Sequence, residues 1–293
     1  MKNILRGMAA LLLSAAFIST TVADEAEKYL LRYKFQPNET IRWHVEHRNK
    51  VRATVSGTTQ TTETLSVSVK AWQVADVKSD GTATFEHRVE SVDMRQKLTG
   101  RDEVRYNSLT DAKPPAGYED VAKSVGVPLA VVTISPKGKV LHRDRRKKKT
   151  PAQTEGWMTI PLPEEPVAIG HTWSLPQNID VPLEGGTVKK VKTLQRFTLE
   201  GVKTGVATIQ VSTDILTPIT DPAIESKLVQ SEGAGRVRFD IDAGRVISQQ
   251  IDIDKHVVGF RGDASSIHYV NRFSERLVPE TPKTADKTTG GKQ

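Results

Sequence analysis

Leu65-Ser66-Val67-Ser68-Val69-Lys70-Ala71 carries its apolar residues on odd positions and its polar residues on even ones. A β-strand turns successive side chains to opposite faces, so this stretch predicts one oily face and one wet face. The same alternation dominates from Ile41 onward, as in Val206-Ala207-Thr208-Ile209-Gln210-Val211. Thr82-Ala83-Thr84-Phe85 is also rich in residues that favour strands. The fold class this predicts is mainly β: two similar curved antiparallel sheets, half-barrel-like, each carrying a short helix.

Turn chemistry orders these strands. Asp80-Gly81 lies between two β-rich runs, and Gly accepts the positive φ that a tight hairpin turn needs. Thr204-Gly205 stands in the same place between Val202 and Val206, and Gly185-Gly186 reads as a further hairpin turn. The first half reads Trp43, the Asp80-Gly81 turn with Ala83-Thr84-Phe85, a helix over Tyr118 to Ser124, and a hairpin from Ile134 to Val140 turned at Gly138. The second reads Trp173, the Thr204-Gly205 turn with Ala207-Thr208-Ile209, a helix over Pro222 to Gln230, and a hairpin from Ile241 to Val246 turned at Gly244. Landmarks recurring in one order predict an internal duplication. Gly81 and Gly138 are 57 positions apart and Gly205 and Gly244 only 39, so the first half must carry an insertion near Lys97 to Pro115. The alternative is two β-meanders that share turn chemistry, but turns alone do not place a helix at the same point in each.

Both helices have local support. Asp221 can cap a first turn with Pro222 at the first helical position, and Ile224 and Leu228 then lie one turn apart on one face. Tyr118, Val121, Ala122 and Val125 have similar spacing before Gly126 and Pro128.

The ends and the middle of the chain read differently. Residues 1–23 have the form of a secretory signal peptide: Lys2 and Arg6, an apolar core from Met8 to Ile18, then Thr21-Val22-Ala23 before the cleavage point. A membrane anchor is the rival, but an uncharged Gly7–Ala23 is at the short limit for a span of about 20 residues. The expected organisation is a β-rich half over 24–142, a basic and polar linker over 143–156, a second half over 157–278 and a disordered tail over 279–293. Ile160-Pro161-Leu162-Pro163 is too proline-rich for a central strand.

The chain has no cysteine, which excludes disulfides, thiolate metal sites, a cysteine nucleophile and a lipid-modified cysteine. Its formal charge of +7 is localised. Loss of Lys2 and Arg6 leaves +5, and the run Arg143, Asp144, Arg145, Arg146, Lys147, Lys148, Lys149 itself carries +5, so the remaining body is formally neutral. A nucleic-acid reader spreads basic residues over a folded face among aromatics, so nucleic acid is not an expected partner. Arg143, Arg145, Arg146, Lys147, Lys148 and Lys149 are instead candidates for contact with an anionic polymer or headgroup surface.

Candidate reactive groups do not converge. In His44-Val45-Glu46-His47 a strand places His44 and Glu46 on one face and His47 on the other. Asp240, Asp242, Asp252 and Asp254 could in principle offer oxygens to Ca2+, but the wet side of an amphipathic hairpin gives the same pattern. No serine sits in a Gly-x-Ser-x-Gly elbow. The expectation is therefore no catalytic residue, no metal and no cofactor. Trp43, Trp72, Trp157 and Trp173 are needed in the core of so aromatic-poor a chain. Of these, Trp43, Trp72 and Trp173 are also candidate wall residues for an apolar ligand.

Leu31-Arg32-Tyr33-Lys34-Phe35, Phe85 to Val92, Gly117 to Lys123 and Arg238 to Val246 together resemble an uncharacterised family of exported, β-rich proteins of planctomycetal bacteria, over about residues 29–278. The resemblance implies export into a bacterial envelope setting and carries no activity. Each half is also similar in outline to the half-barrel-plus-helix build of bacterial lipoprotein carriers, a likeness of fold rather than of function. The leading expectation is a non-enzymatic exported protein, periplasmic or extracellular, that binds an apolar ligand or an envelope partner on a curved sheet face. A purely structural interaction module and an unrecognised hydrolase are the alternatives.

Overall fold

The computed structural model describes residues 26–145, 159–183 and 185–279. The expected signal peptide, Arg146 to Lys149, Trp157 and all but the first residue of the expected tail lie outside the described residues. The strands are β1 (Lys28–Tyr29), β2 (Thr40–Val55), β3 (Thr58–Val77), β4 (Ala83–Leu98), β5 (Val104–Asn107), β6 (Pro128–Ile134), β7 (Val140–Arg145), β8 (Val167–Ala168), β9 (Thr172–Pro182), β10 (Val188–Lys203), β11 (Val206–Ile215), β12 (Ala234–Asp240), β13 (Arg245–Val258) and β14 (Ser266–Leu277). The helices are α1 (Glu119–Ala122) and α2 (Pro222–Leu228).

The protein is mainly β and antiparallel. One 12-stranded sheet runs β7-β6-β4-β3-β2-β14-β13-β12-β11-β10-β9, with β5 beside β4, and β1 and β8 form a small second sheet. The large sheet is not closed into a barrel. The two halves are thus continuous across the β2–β14 pairing.

The repeat is visible in the strand order: β2-β3-β4-β6-β7 and β9-β10-β11-β12-β13 occupy the sheet in the same sequence, with β14 between the two sets. Their irregularities repeat too. Pairing skips a residue between Val74 and Asp76 against β4, and between Leu199 and Gly201 against β11. It shifts again at Thr133/Ile134 and at Arg238/Phe239, the fourth strand of each set. The inserted segment of the first half is β5, which folds back along the far end of β4 from Asp93↔Asn107 to Gln96↔Val104. The tryptophan landmarks are one pleat out of step, because Trp72 faces Ile41 whereas its counterpart Phe197 faces Trp173.

Register follows one face across the whole sheet: Val132, Phe85, Val74 on one side, and Ile209, Leu199 on the other, belong to the side that carries the cores. On β3 the register, not the alternation, decides which face is inner. Lys70 pairs Trp43 and Ser68 pairs Val45 on that inner side, so Leu65, Val67, Val69 and Ala71 point outward. Arg48, Glu46 and His44 are the outer-face neighbours of Leu65, Val67 and Val69, long side chains whose stems half-bury them, while Ala71 is fully buried.

Two segments without regular structure close the inner face at the hairpin end. Leu31 and Tyr33, with Ile160 and Leu162, join the core of the second set. Phe35 reaches both this core and that of the first set around Trp43, Trp72 and Phe85. The strap is pinned to both repeats, as Tyr33 N–H donates to Pro136 O at 2.7 Å and Lys34 N–H to Gly244 O at 3.0 Å. At the other end α2 buries Ile224 and Leu228, and the Asp221 side chain caps it by accepting from Ala223 N–H at 2.8 Å. Helix α1 is a single turn, shorter than expected, with Tyr118 at its start packed on Val92 and Tyr106. Arg143, Asp144 and Arg145 finish strand β7 rather than opening a linker. The sheet edges are blunted by these charges on β7 and by Pro176 in β9.

Gly244 (φ +62°) meets the strap so closely that an added Cβ would stand 2.5 Å from Lys34 Cγ, whereas at Gly57 (φ +77°) it would meet nothing within 4 Å. Gly57→Ala is expected to lose only the backbone preference, about 1–2 kcal/mol. Gly244→Ala is expected to lose clearly more, because the strap must also move. Thermal unfolding of the two variants side by side checks this; equal losses would mean that the strap is not held at Gly244.

Candidate functional site

The densest collection of functional groups lies at the seam between the two repeats. Lys70, on the inner side of β3, sits 4.8 Å from the ring centre of Trp43 and 5.2 Å from that of Trp72. Its ammonium bonds Glu275 Oε1 on β14 at 2.7 Å, and Gln249 Nε2 on β13 donates to Glu275 Oε2 at 3.0 Å. The Lys70 and Glu275 side chains are only 12% and 3% exposed, so this is a buried pair held by aromatic faces and an amide. Trp43 Nε1–H donates to Val246 O at 3.0 Å, and Arg245 reaches Glu39 at 3.1 Å. Lys70 and Gln249 thus meet from the two sides on Glu275 of β14, while the Trp43–Val246 and Arg245–Glu39 bonds join the first half directly to β13.

The structure brings Trp43 and Trp72 together, with ring centres 4.7 Å apart and Trp72 stacked on Phe85 at 4.3 Å. It does not bring Trp173 to them. That indole stacks on Phe197 in the other core and donates to Pro161 O at 2.8 Å. The space among Trp43, Trp72, Tyr33, Gln249 and Glu275 is about 10 Å³, room for about one water and no apolar chain. Trp43 and Trp72 therefore work here as core packing around a buried ion pair.

His87, inner-facing on β4 opposite Trp72, is 6% exposed. Burial is the main cause that lowers its pKa from 6.5 to about 3; Lys70 and Arg143 add to the effect, and a backbone bond to Ala71 opposes it. Arg143 is thus a half-buried neighbour of this imidazole, while Arg145 is exposed on the edge strand. The remaining groups are dispersed. His47 bonds Asn271 at 2.5 Å, Asp252 bonds Arg272 at 2.6 Å and Asp254 bonds His268 at 2.7 Å, while Asp240 accepts from Ala243 N–H at 2.8 Å. Among the described residues no three His, Cys, Asp or Glu side chains gather to hold a metal, and no helix is long and apolar enough to cross a membrane.

Farther along the inner face the cover thins. Val229, Ile253, Val257 and Tyr269 form one patch with Val51 and Ile267 at its margin, and Val92, Tyr106 and Tyr118 form another with Met94 at its margin. Between them Phe273 on β14 belongs to neither patch and touches His47 edge-on at 6.2 Å. Phe273, Val51, Ile267 and Met94 all keep partial exposure. Lys70, Glu275, Gln249, His87 and Phe273 were not singled out by the sequence; a lysine alternating with valines was the one signal, and it reads as wet face until the register is known.

No family matches the chain, and no curated protein matches it either. Among solved structures it is similar to one titled for lipid–protein interactions in lipovitellin, at 13% identity and a TM-score of 0.50, over 84% of this chain and 26% of that one. The chain thus spans about a quarter of that protein's length, and the likeness is one of fold. DynF from the dynemicin pathway of Micromonospora chersina aligns over 87% of this chain and 88% of its own at 7% identity and a TM-score of 0.22. Pseudomonas aeruginosa OpdQ aligns over 83% of this chain and 100% of its own at 6% identity and a TM-score of 0.23.

Two outcomes follow from the seam. Glu275→Leu strands a buried ammonium and is expected to lose about 3–5 kcal/mol, whereas adding Lys70→Met in the same chain is expected to restore most of it. A urea double-mutant cycle measures the coupling, and additive losses would contradict a buried pair. Separately, unfolded His87 takes up a proton near its ordinary pKa of about 6.5, but folded His87 does so only near 3. Because the folded pKa is the lower one, its stabilising effect is complete above the unfolded value. It falls by about 1.4 kcal/mol per pH unit as pH drops through the window between them. His87→Leu should flatten the pH dependence of urea-unfolding stability in that window, and an unchanged slope would refute this role.

Proposed function

We propose that this chain is an exported, non-enzymatic protein of a bacterial envelope that holds an apolar ligand on the inner face of its sheet. The observation that carries the reading is the partial exposure of four inner-face apolar side chains: Val51 and Ile267 at the margin of one helix-capped patch, Met94 at the margin of the other, and Phe273 between them among His47, Asn49 and Asn271. Apolar groups left partly open beside packed patches are what a hydrophobic ligand would bury, at about 25 cal/mol per Å² removed from water. The fold-level likeness to lipovitellin, in a structure titled for lipid–protein interactions, fits a lipid-like ligand. A binding role rather than a reaction is supported by Lys70 and Glu275, which spend their hydrogen bonds on each other and on Gln249 behind a sealed core. The resemblance over residues 29–278 supplies the envelope setting.

Native mass spectrometry of full chain purified from its host is expected to show a co-purifying apolar molecule. The fluorescent probe N-phenyl-1-naphthylamine should bind, and Phe273→Ser should weaken it about 10-fold, the equivalent of about 1.4 kcal/mol. Circular dichroism confirms that the variant stays folded. A clean apo mass together with no probe binding would overturn the ligand reading and leave an interaction module.

A further inference from the structure

Two residues that line the same small space at the seam each carry a buried polar atom without a hydrogen-bond partner among the described residues. The atoms are Trp72 Nε1, a donor, and Gln249 Oε1, an acceptor. Their residues are 2% and 6% exposed, so bulk solvent does not satisfy them. Buried polar groups are rarely left orphaned in folded proteins, and a donor and an acceptor at one cavity call for a small molecule that can do both.

The orientation of the Gln249 amide is fixed by its other end. Gln249 Nε2 donates to Glu275 Oε2 at 3.0 Å, and a flipped amide would set its oxygen against that carboxylate. The carbonyl is therefore the end of the amide left for another donor, on a residue that lines the space. Tyr33 lines it as well; its hydroxyl oxygen accepts from Ile160 N–H at 3.0 Å, which leaves the hydroxyl proton to donate. Burial keeps that phenol protonated by raising its pKa.

We propose that one water molecule is a built-in component of the seam, accepting from Trp72 Nε1–H and donating to Gln249 Oε1, with the Tyr33 hydroxyl as a third partner. The size of the site decides the ligand class: about 10 Å³ holds about one water and excludes any organic group. The donors decide it further, since a cation would face an indole N–H, a phenolic proton and the Arg245 guanidinium, while the Glu275 carboxylate on the same lining is already held by Lys70 and Gln249. Such a water completes the hydrogen bonding of the amide that steadies Glu275, and so of the ion pair that joins the repeats. The inference is independent of the ligand proposed above.

The chain carries its own controls, because Trp43 Nε1–H donates to Val246 O and Trp173 Nε1–H to Pro161 O. Water-selective NOESY and ROESY spectra of 15N-labelled full chain read each indole proton separately, with Trp72→Phe used to assign its peak. The expected result is a cross-peak between water and the Trp72 indole proton, with the sign of a long-lived bound molecule, and none at Trp43 or Trp173. A Trp72 signal no stronger than those controls, or one with the sign of simple proton exchange, would overturn the proposal. In Gln249→Met the cross-peak should be lost while the Trp173 peak keeps its position; a cross-peak that survives would equally count against the assigned acceptor.

Discussion

The pairing of β2 with β14, from Leu277↔Trp43 to Ser266↔Thr54, is the contact on which the rest of the molecule depends. Each five-strand set has two edges, and an exposed edge is a template for unwanted pairing. β14 belongs to neither set and covers the inner edge of both at once, β2 on one side and β13 on the other. The long sheet therefore follows from one strand that serves two neighbours.

Backbone hydrogen bonds alone would let such a strand slip. A one-residue slip turns every side chain to the other face, and a two-residue slip keeps the faces but misplaces each partner. Glu275 makes both errors costly, because it carries a charge to an inner, 3%-exposed position where only Lys70 and Gln249 can receive it. A buried pair of this kind adds little net stability over apolar packing, since desolvation of both ions offsets their attraction. Its contribution is to single out one register. The outer face is different in kind: Arg42–Glu90, Arg196–Asp214 and Arg272–Asp252 are largely exposed pairs, each of the class that contributes about 0–1 kcal/mol. Stability thus rests on the inner clusters, and specificity on the seam.

Local chemistry was legible in the sequence, and long-range partnership was not. Asp221 and Pro222 announce α2, and the glycines at 81, 138, 205 and 244 mark hairpins, because capping and positive φ are decided within a few residues. The uneven glycine spacing located β5 for a similar reason: an ordered series exposes extra chain. Alternation in Leu65 to Ala71 established a strand but not which side faced the core, and Ser66, Ser68 and Lys70 turned out to be the inner residues. That choice is made by Glu275, which lies 205 positions away from Lys70. The tryptophans part company on the same ground, because Trp43 and Trp173 open equivalent strands but are one pleat apart, and they pack in separate cores.

These constraints locate where the molecule can yield to a ligand. At the hairpin end the strap is hydrogen-bonded to both repeats, and opening it would break Tyr33 from Pro136 O and Lys34 from Gly244 O and withdraw Phe35 from the core of Trp72 and Phe85. At the opposite end the cover is one turn of helix in α1 and two turns in α2, and isolated helices this short have no stability of their own. They stay in place through a few apolar anchors, Tyr118 and Val121 on one side and Ile224 and Leu228 on the other. Lifting either helix therefore costs a small patch of contacts, whereas entering at the tryptophans costs the seam. Phe273 stands on the yielding side, where the inner face is partly exposed and the sheet does not depend on its cover.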